Sequence, residues 1–289
     1  MSVRKFLLPV SSSASAAAAL HAGLMLARMW NAHLQVLHIR ADSREIVPIA
    51  GEGLSGAMIE EMMSATERES GTRELSLHEL FHAATAEQMV SVGEALPGRN
   101  EPSASFTTMT GREDQLVAHQ ARLSDLTIVP HPAAGADVAA ADALHAVIFD
   151  SGRPVLLAPV EQPESIGKRI AIAWNGTAFA ASALASAMPF VRQAAAVCIL
   201  HSPEYFRPGP SAAEVAEYIS HHGVSAELRE FYPRNRVVGA GLLAAAAEFG
   251  ADMMAMGAYS TTSRLRQLIL GGVTRHVLEH ATLPVLMNR

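Results

Sequence analysis

The residues best placed to do chemistry lie together near the carboxyl end, between Asp252 and Arg289. Asp252–Met256 is a short apolar run that stops at Gly257, so it reads as a strand feeding a turn. A hydroxyl-rich stretch (Ser260–Ser263), two arginines (Arg264 and Arg266) and a Gly271-Gly272 pair follow. Next comes a helical pattern with Val273, Val277 and Leu278 on one face, and Pro284–Met287 reads as a closing strand. Glycine lets backbone approach a ligand closely, and a helix start presents unpaired N–H groups and a positive dipole end. The order therefore describes an anion site. Arg264, Arg266 and Arg275, with no acid between them, add a local cationic patch.

Other chemistry is thinly supported. Of 13 histidines, His276 and His280 stand at i and i+4, a spacing that joins two metal ligands, but no third ligand is implied nearby. A solvated helix face is the expected reading, and His221-His222 falls at a helix end. The single cysteine, Cys198, sits mid-strand and reads as an inert buried thiol. No Ser-His-Asp or Cys-His grouping is readable, and no Gly-Lys-Ser/Thr loop occurs. The expectation is a protein that is not an enzyme.

A chain of 289 residues with 49% hydrophobic and 17% charged residues has ample core for two domains. Aromatics are only 5%, so that core must be built from Ala, Val, Leu, Ile and Met. One cysteine excludes an internal disulfide framework and favours a reducing compartment. No run approaches the ~18 apolar residues of a membrane helix. Arg4-Lys5 before Phe6-Leu7-Leu8 mimics a secretion signal, but its apolar part is short and broken by Pro9. A soluble, cytoplasmic protein is expected, with no membrane partner. Residues 1–160 hold 11 basic and 18 acidic side chains, residues 161–289 hold 11 and 10. Neither half carries the basic stripe of a nucleic-acid binder.

Two copies of one plan follow along the chain. In the first, Phe6–Val10, His33–Ile39, Ala104–Met109, Asp125–Val129 and Pro154–Ala158 read as strands. Ala14–Trp30, Glu113–Leu123 and Val138–Phe149 read as helices, with Ser11–Ser13 offering N-caps. In the second, Arg169–Trp174, Ala196–Leu200, Ser225–Phe231, Asp252–Met256 and Pro284–Met287 are strands. Phe179–Val191, Ala212–His221 and Val238–Phe249 are its helices, the last capped by Gly250. Asp125-Leu-Thr-Ile-Val answers Asp252-Met-Met-Ala-Met, and Pro154-Val-Leu-Leu answers Pro284-Val-Leu-Met. Ile39 and Phe106 are 67 positions apart, Leu200 and Leu228 only 28, so residues 43–100 form an acidic helical insert in the first copy. Within it Leu54, Met58, Ile59, Met62 and Met63 fall at helical spacing and read as core. Domains are expected at 1–160 and 161–289, divided by the Pro-bearing linker Pro159–Gly167. The alternation means α/β domains with parallel sheets and helices on both faces. In such sheets ligands bind beyond the carboxyl ends of the strands, where the strand order reverses. In the second copy those loops are Trp174-Asn175-Gly176, Leu200-His201-Ser202 and Gly257 onward. Asn175-Gly176 also reads simply as a tight turn.

The order strand, Gly257-Ala-Tyr, loop, Leu-Ile-Leu-Gly271-Gly272-Val-Thr274, helix, Pro-Val-Leu resembles the carboxyl-terminal signature of the universal stress protein family. The whole chain looks like a tandem member. That resemblance implies two Rossmann-like domains (the adenine nucleotide alpha hydrolase-like fold), each a five-stranded, mostly parallel sheet. It also implies an ATP-binding stress-response module, with Mg²⁺ on the phosphates. Trp174, Asn175 and Gly176 would lie at the first loop and Ser202 near the adenine. Met256, Gly257, Ser260, Gly271, Gly272, Val273 and Thr274 would lie on the phosphate side. Two departures stand out. Ser260 occupies the place of the second family glycine, and ten residues rather than nine separate it from Gly271. Asn175 replaces the usual Asp. The first copy has Ala141-Asp142 opposite Gly271-Gly272 and lacks the apparatus. A nucleotide-free scaffold and a weak ATPase are the alternatives. The family's last strands commonly pair two domains, so Pro154–Ala158 and Pro284–Met287 are expected to join within one chain as a pseudo-dimer or between chains as a homodimer.

Overall fold

The computed structural model describes residues 3–40, 56–95, 98, 100–133, 138–259 and 272–289. The first half runs β1 (Lys5–Val10), α1 (Ser13–Trp30), β2 (His33–Arg40), α2 (Gly56–Glu87), β3 (Ser91–Val92), β4 (Ser103–Thr110), α3 (Glu113–Ala121), β5 (Leu126–Val129), α4 (Val138–Asp150) and β6 (Val155–Leu157). The second runs β7 (Arg169–Trp174), α5 (Ala178–Val191), β8 (Ala196–His201), α6 (Ala212–Ser220), β9 (Ala226–Glu230), α7 (Val238–Phe249), β10 (Met253–Gly257), α8 (Val273–His280) and β11 (Val285–Asn288).

The eleven strands of the described residues form one sheet, in the order β3-β4-β2-β1-β5-β6-β11-β10-β7-β8-β9. Every neighbouring pair is parallel except β6 and β11, which pair antiparallel with Leu286 opposite Leu156. The expected joining of the last strands thus occurs within the chain. Period-2 alternation sends Phe6, Leu8, Met253 and Ala255 to a core under α1, α2, α5 and α6. Leu7, Met254 and Met256 go to the opposite face, under α3, α4, α7 and α8. Trp30 of α1 meets Phe190 of α5 edge to face at 5.4 Å, tying the halves together on the first face.

The repeated aspartates have one job in both halves. Asp125 accepts the Arg4 and Lys5 N–H groups at 2.7 and 3.0 Å, and Asp252 accepts those of Lys168 and Arg169 at 3.0 and 2.8 Å. Each carboxylate clamps the amino end of its half's first strand and satisfies donors that the sheet leaves open. Ser12 is the N-cap of α1, taking the Ser15 N–H, and Gly250 ends α7 in the left-handed conformation.

Two expectations need correcting. The insert is largely one helix, α2, of 32 residues, followed by the two-residue strand β3, so the first half has six strands rather than five. Its methionines are not core: Met58 is 50% and Met62 44% exposed. Leu77 and Phe81, on the later turns of α2, join the core under α1, whereas no described residue of the helix before Leu77 is buried. Leu54 lies outside the described residues. Cys198 is fully buried, and burial pushes its thiol up to about 11, far from reactive.

His38 and His131 are each 2% exposed, and burial holds both below the ordinary value of 6.5. Below that pH the unfolded chain takes up protons that the folded chain refuses, so stability is lost as pH falls through the mid-sixes. Urea titrations should give a smaller unfolding free energy at pH 5.5 than at pH 7.5, with a shallower dependence in the His38→Gln/His131→Gln double variant. Equal stability at both pH values would contradict this.

Candidate functional site

In the second half the chain steps outward from β7 to β8 and β9, then returns to the other side of β7 as β10. The loops leaving β7 and β10 therefore diverge and open a crevice at their carboxyl ends. Trp174 ends β7, 5% exposed, its indole N–H donating to the Pro210 carbonyl at 2.7 Å. The Asn175 side-chain oxygen accepts the Thr177 hydroxyl at 2.8 Å and its N–H at 3.3 Å, and Thr177 Oγ1 caps α5 at the Ala180 N–H. Here Asn175 works as a turn and capping residue.

Gly176 has φ +81°, and a Cβ there would sit 2.5 Å from the Arg207 carbonyl oxygen. A Cβ on Gly209 would collide in turn with the Gly176 carbonyl. The two glycines let the loop between β8 and α6 lie directly on the end of β7, fixed by the Arg207 N–H on the Asn175 carbonyl at 2.9 Å. Sequence reading missed this cover, although the spacing of Pro203, Pro208, Gly209 and Pro210 marked a shaped loop.

On the β10 side, Met256 is buried, paired with Ala173 of β7 and Met287 of β11. Gly257 packs against the first turn of α5, where a Cβ would come within 2.7 Å of the Ala180 nitrogen. Tyr259 then takes a left-handed φ of +47°, which costs a side-chain-bearing residue about 1–2 kcal/mol. Two bonds hold it there. Its N–H donates to Thr274 Oγ1 at 3.2 Å, and its hydroxyl lies 2.9 Å from His145 Nε2 in the first half. The contact with His145 was not legible in the sequence.

Gly272 is the N-cap of α8 and, having no side chain, offers no side-chain cap to the first-turn amides. Nothing lies within 4 Å of where its Cβ would be. Val273 is half-buried, and Thr274 is 8% exposed. Ser202, just past β8, is 2% exposed, and its hydroxyl has no partner among the described residues. Ser260, Gly271, Arg264 and Arg266 lie outside the described residues. Arg275 turns back to Glu279 at 2.7 Å. His276 and His280 stack at 4.1 Å, and no group of three or more His, Cys, Asp or Glu among the described residues is arranged to hold a metal ion. In the first half, Asp142 stands inside α4, after the helix has begun at Val138, rather than at a helix start as its alignment with Gly272 suggested.

The model of the universal stress protein family matches residues 168–289. The second half is a universal stress protein domain. No curated protein matches the chain. Among solved structures, a universal stress protein from Archaeoglobus fulgidus DSM 4304 is 15% identical with a TM-score of 0.66, the similarity covering 100% of this chain and 99% of that one. A Pseudomonas aeruginosa UCBPP-PA14 protein assigned to the same family is also 15% identical, with a TM-score of 0.52 over 99% and 93% of the two chains. Both likenesses span the two halves and show that the entire chain has the universal stress protein fold.

The two glycines at the mouth of the crevice should respond oppositely. Gly176→Ala should lower stability by about 2 kcal/mol or more, combining the cost of positive φ with a backbone clash. Gly272→Ser should be neutral or slightly stabilising, because serine is a good N-cap and the space is open. Chemical denaturation checks both, and equal effects would contradict the packing described.

Proposed function

We propose that the second half binds an adenine nucleotide, ATP or a close relative, and that the protein acts by binding rather than by catalysis. The observation that carries this reading is the start of α8 at the β7/β10 crevice, where Gly272 provides no side-chain cap, within the family-matched region. Phosphate oxygens would accept from the amides of Val273, Thr274 and Arg275, favoured by the helix dipole. Thr274 Oγ1 already accepts the Tyr259 N–H, which leaves its own proton free to donate to a phosphate. The buried hydroxyl of Ser202 would meet a polar atom of the base, removing the penalty of an unpaired group. Bound Mg²⁺ would neutralise phosphate charge. The groups gathered here are amides and hydroxyls, which hold a nucleotide but do not activate water. Nucleotide binding would then bias the conformation that partner proteins recognise, the form expected of a cytoplasmic stress-response module.

One observation favours the nucleotide-free scaffold instead: backbone from Arg207 to Gly209 rests where a ribose would approach Gly176. Calorimetry separates the two. ATP should bind the wild type, and Gly272→Asp should weaken it at least tenfold while folding as well or better, since Asp caps a helix but repels phosphate. Mass spectrometry of gently purified protein should show a retained nucleotide. No heat with ATP, or equal heats for wild type and Gly272→Asp, would remove the proposed site.

A further inference from the structure

The sheet ends at two edges, and they differ. One is β3, two residues long and too short to pair further. The other is β9, Ala226–Glu230, which has a neighbour, β8, on one side only among the described residues. The Phe231 N–H donates to the His201 carbonyl at 2.9 Å, and in a parallel pair alternate residues turn both backbone groups the same way. Glu227 and Arg229 therefore direct their N–H and C=O groups at β8. Ala226, Leu228 and Glu230 direct theirs outward, where no described residue takes them.

The side chains of this edge are self-complementary. Glu227 and Arg229 share the face of α7, where they form an ion pair and the guanidinium lies 5.3 Å over the Phe249 ring. Leu228 is exposed on the opposite face, in register with the core residue Ile199. Run antiparallel to itself about Leu228, the strand sets Glu227 opposite Arg229 of a second copy, and Arg229 opposite its Glu227. The two Leu228 side chains then meet. The outward backbone groups fit the same register: each Leu228 N–H meets the other's carbonyl, and the Ala226 groups meet those of Glu230. A slip of two residues, the smallest that keeps the faces, sets Glu227 against Glu227 or Arg229 against Arg229, which is unfavourable. Charge and hydrogen bonding select one pairing.

We propose that β9 is a self-association edge, through which two copies of the chain pair antiparallel about a twofold axis at Leu228. Each carboxylate of Glu227 then faces guanidiniums of both copies. Because the same patch serves on both sides, association closes at two. The product is one continuous sheet with eleven strands from each copy, ending on both sides in the short β3.

Sedimentation equilibrium on the full chain at about 100 µM tests the proposal, because association is read against concentration. The wild type should show twice its 30.6 kDa mass. Glu227→Arg and Arg229→Glu should each show the mass of one chain, since like charges then meet across the axis. Mixed in equal amounts, these two variants should recover the doubled mass, because a basic edge then meets an acidic one. Leu228→Pro removes an outward donor that β8 does not use and should also give single chains. A single-chain mass for the wild type, assemblies larger than two, a pair that survives all three substitutions, or charge variants that stay apart when mixed would overturn it.

Discussion

The antiparallel pairing of β6 with β11 is the interaction on which the rest of this structure depends. Val155, Leu156, Leu157, Val285, Leu286 and Met287 are all essentially fully buried. A half standing alone would leave one of these strands as an apolar, unpaired edge, the kind of surface that adheres to other chains. Each side chain returned to water would cost about 1.5–3 kcal/mol. Because the pairing is antiparallel, the strand directions reverse at the junction, so the carboxyl ends of the two halves lie at opposite rims of the sheet. The second-half crevice is therefore set apart from its first-half counterpart, while α4 and α8 become neighbours.

That geometry gives Tyr259 an unusual position. Its backbone N–H belongs to the crevice through Thr274, and its side chain belongs to the other half through His145. A left-handed residue with a bulky side chain is retained because both ends are tied. One residue thus borders the candidate phosphate site and the junction between the halves. The glycines around the crevice divide in the same way. Among the described glycines there, Gly176 and Gly257 admit protein backbone, whereas Gly272 faces open space. A glycine motif reports that something approaches closely, and here two of the three approaches are made by the chain itself.

Much of the fold was legible in the sequence because it follows from local pattern. The alternation of Phe6, Leu7 and Leu8, the alanine-rich run before Trp30 and the cap at Gly250 specify strand, helix and stop without reference to the rest of the chain. The repeat of Asp125 at Asp252 was visible as a landmark, and the structure supplies its reason in the amides each one clamps. What escaped depends on contacts distant in sequence. Met58 and Met62 have helical spacing, but whether a helix face is covered depends on what the fold brings against it. The strand β3 is two residues long and carries no periodicity. The loop over Gly176 and the bond from Tyr259 to His145 span about 30 and more than 100 positions. At the candidate site, the sequence placed Thr274 and Gly272 at a helix start and offered a tight turn at Asn175-Gly176 beside the ligand-facing reading, and the Asn175 bonds to Thr177 bear out the turn.

Amide hydrogen exchange tests the central claim directly. If the halves share one sheet, the amides of residues 155–157 and 285–287 should be protected as strongly as those of the interior strands β1 and β7. Exchange at those positions as fast as in the edge strand β3 would mean that the junction is open, and the account built on it would fail.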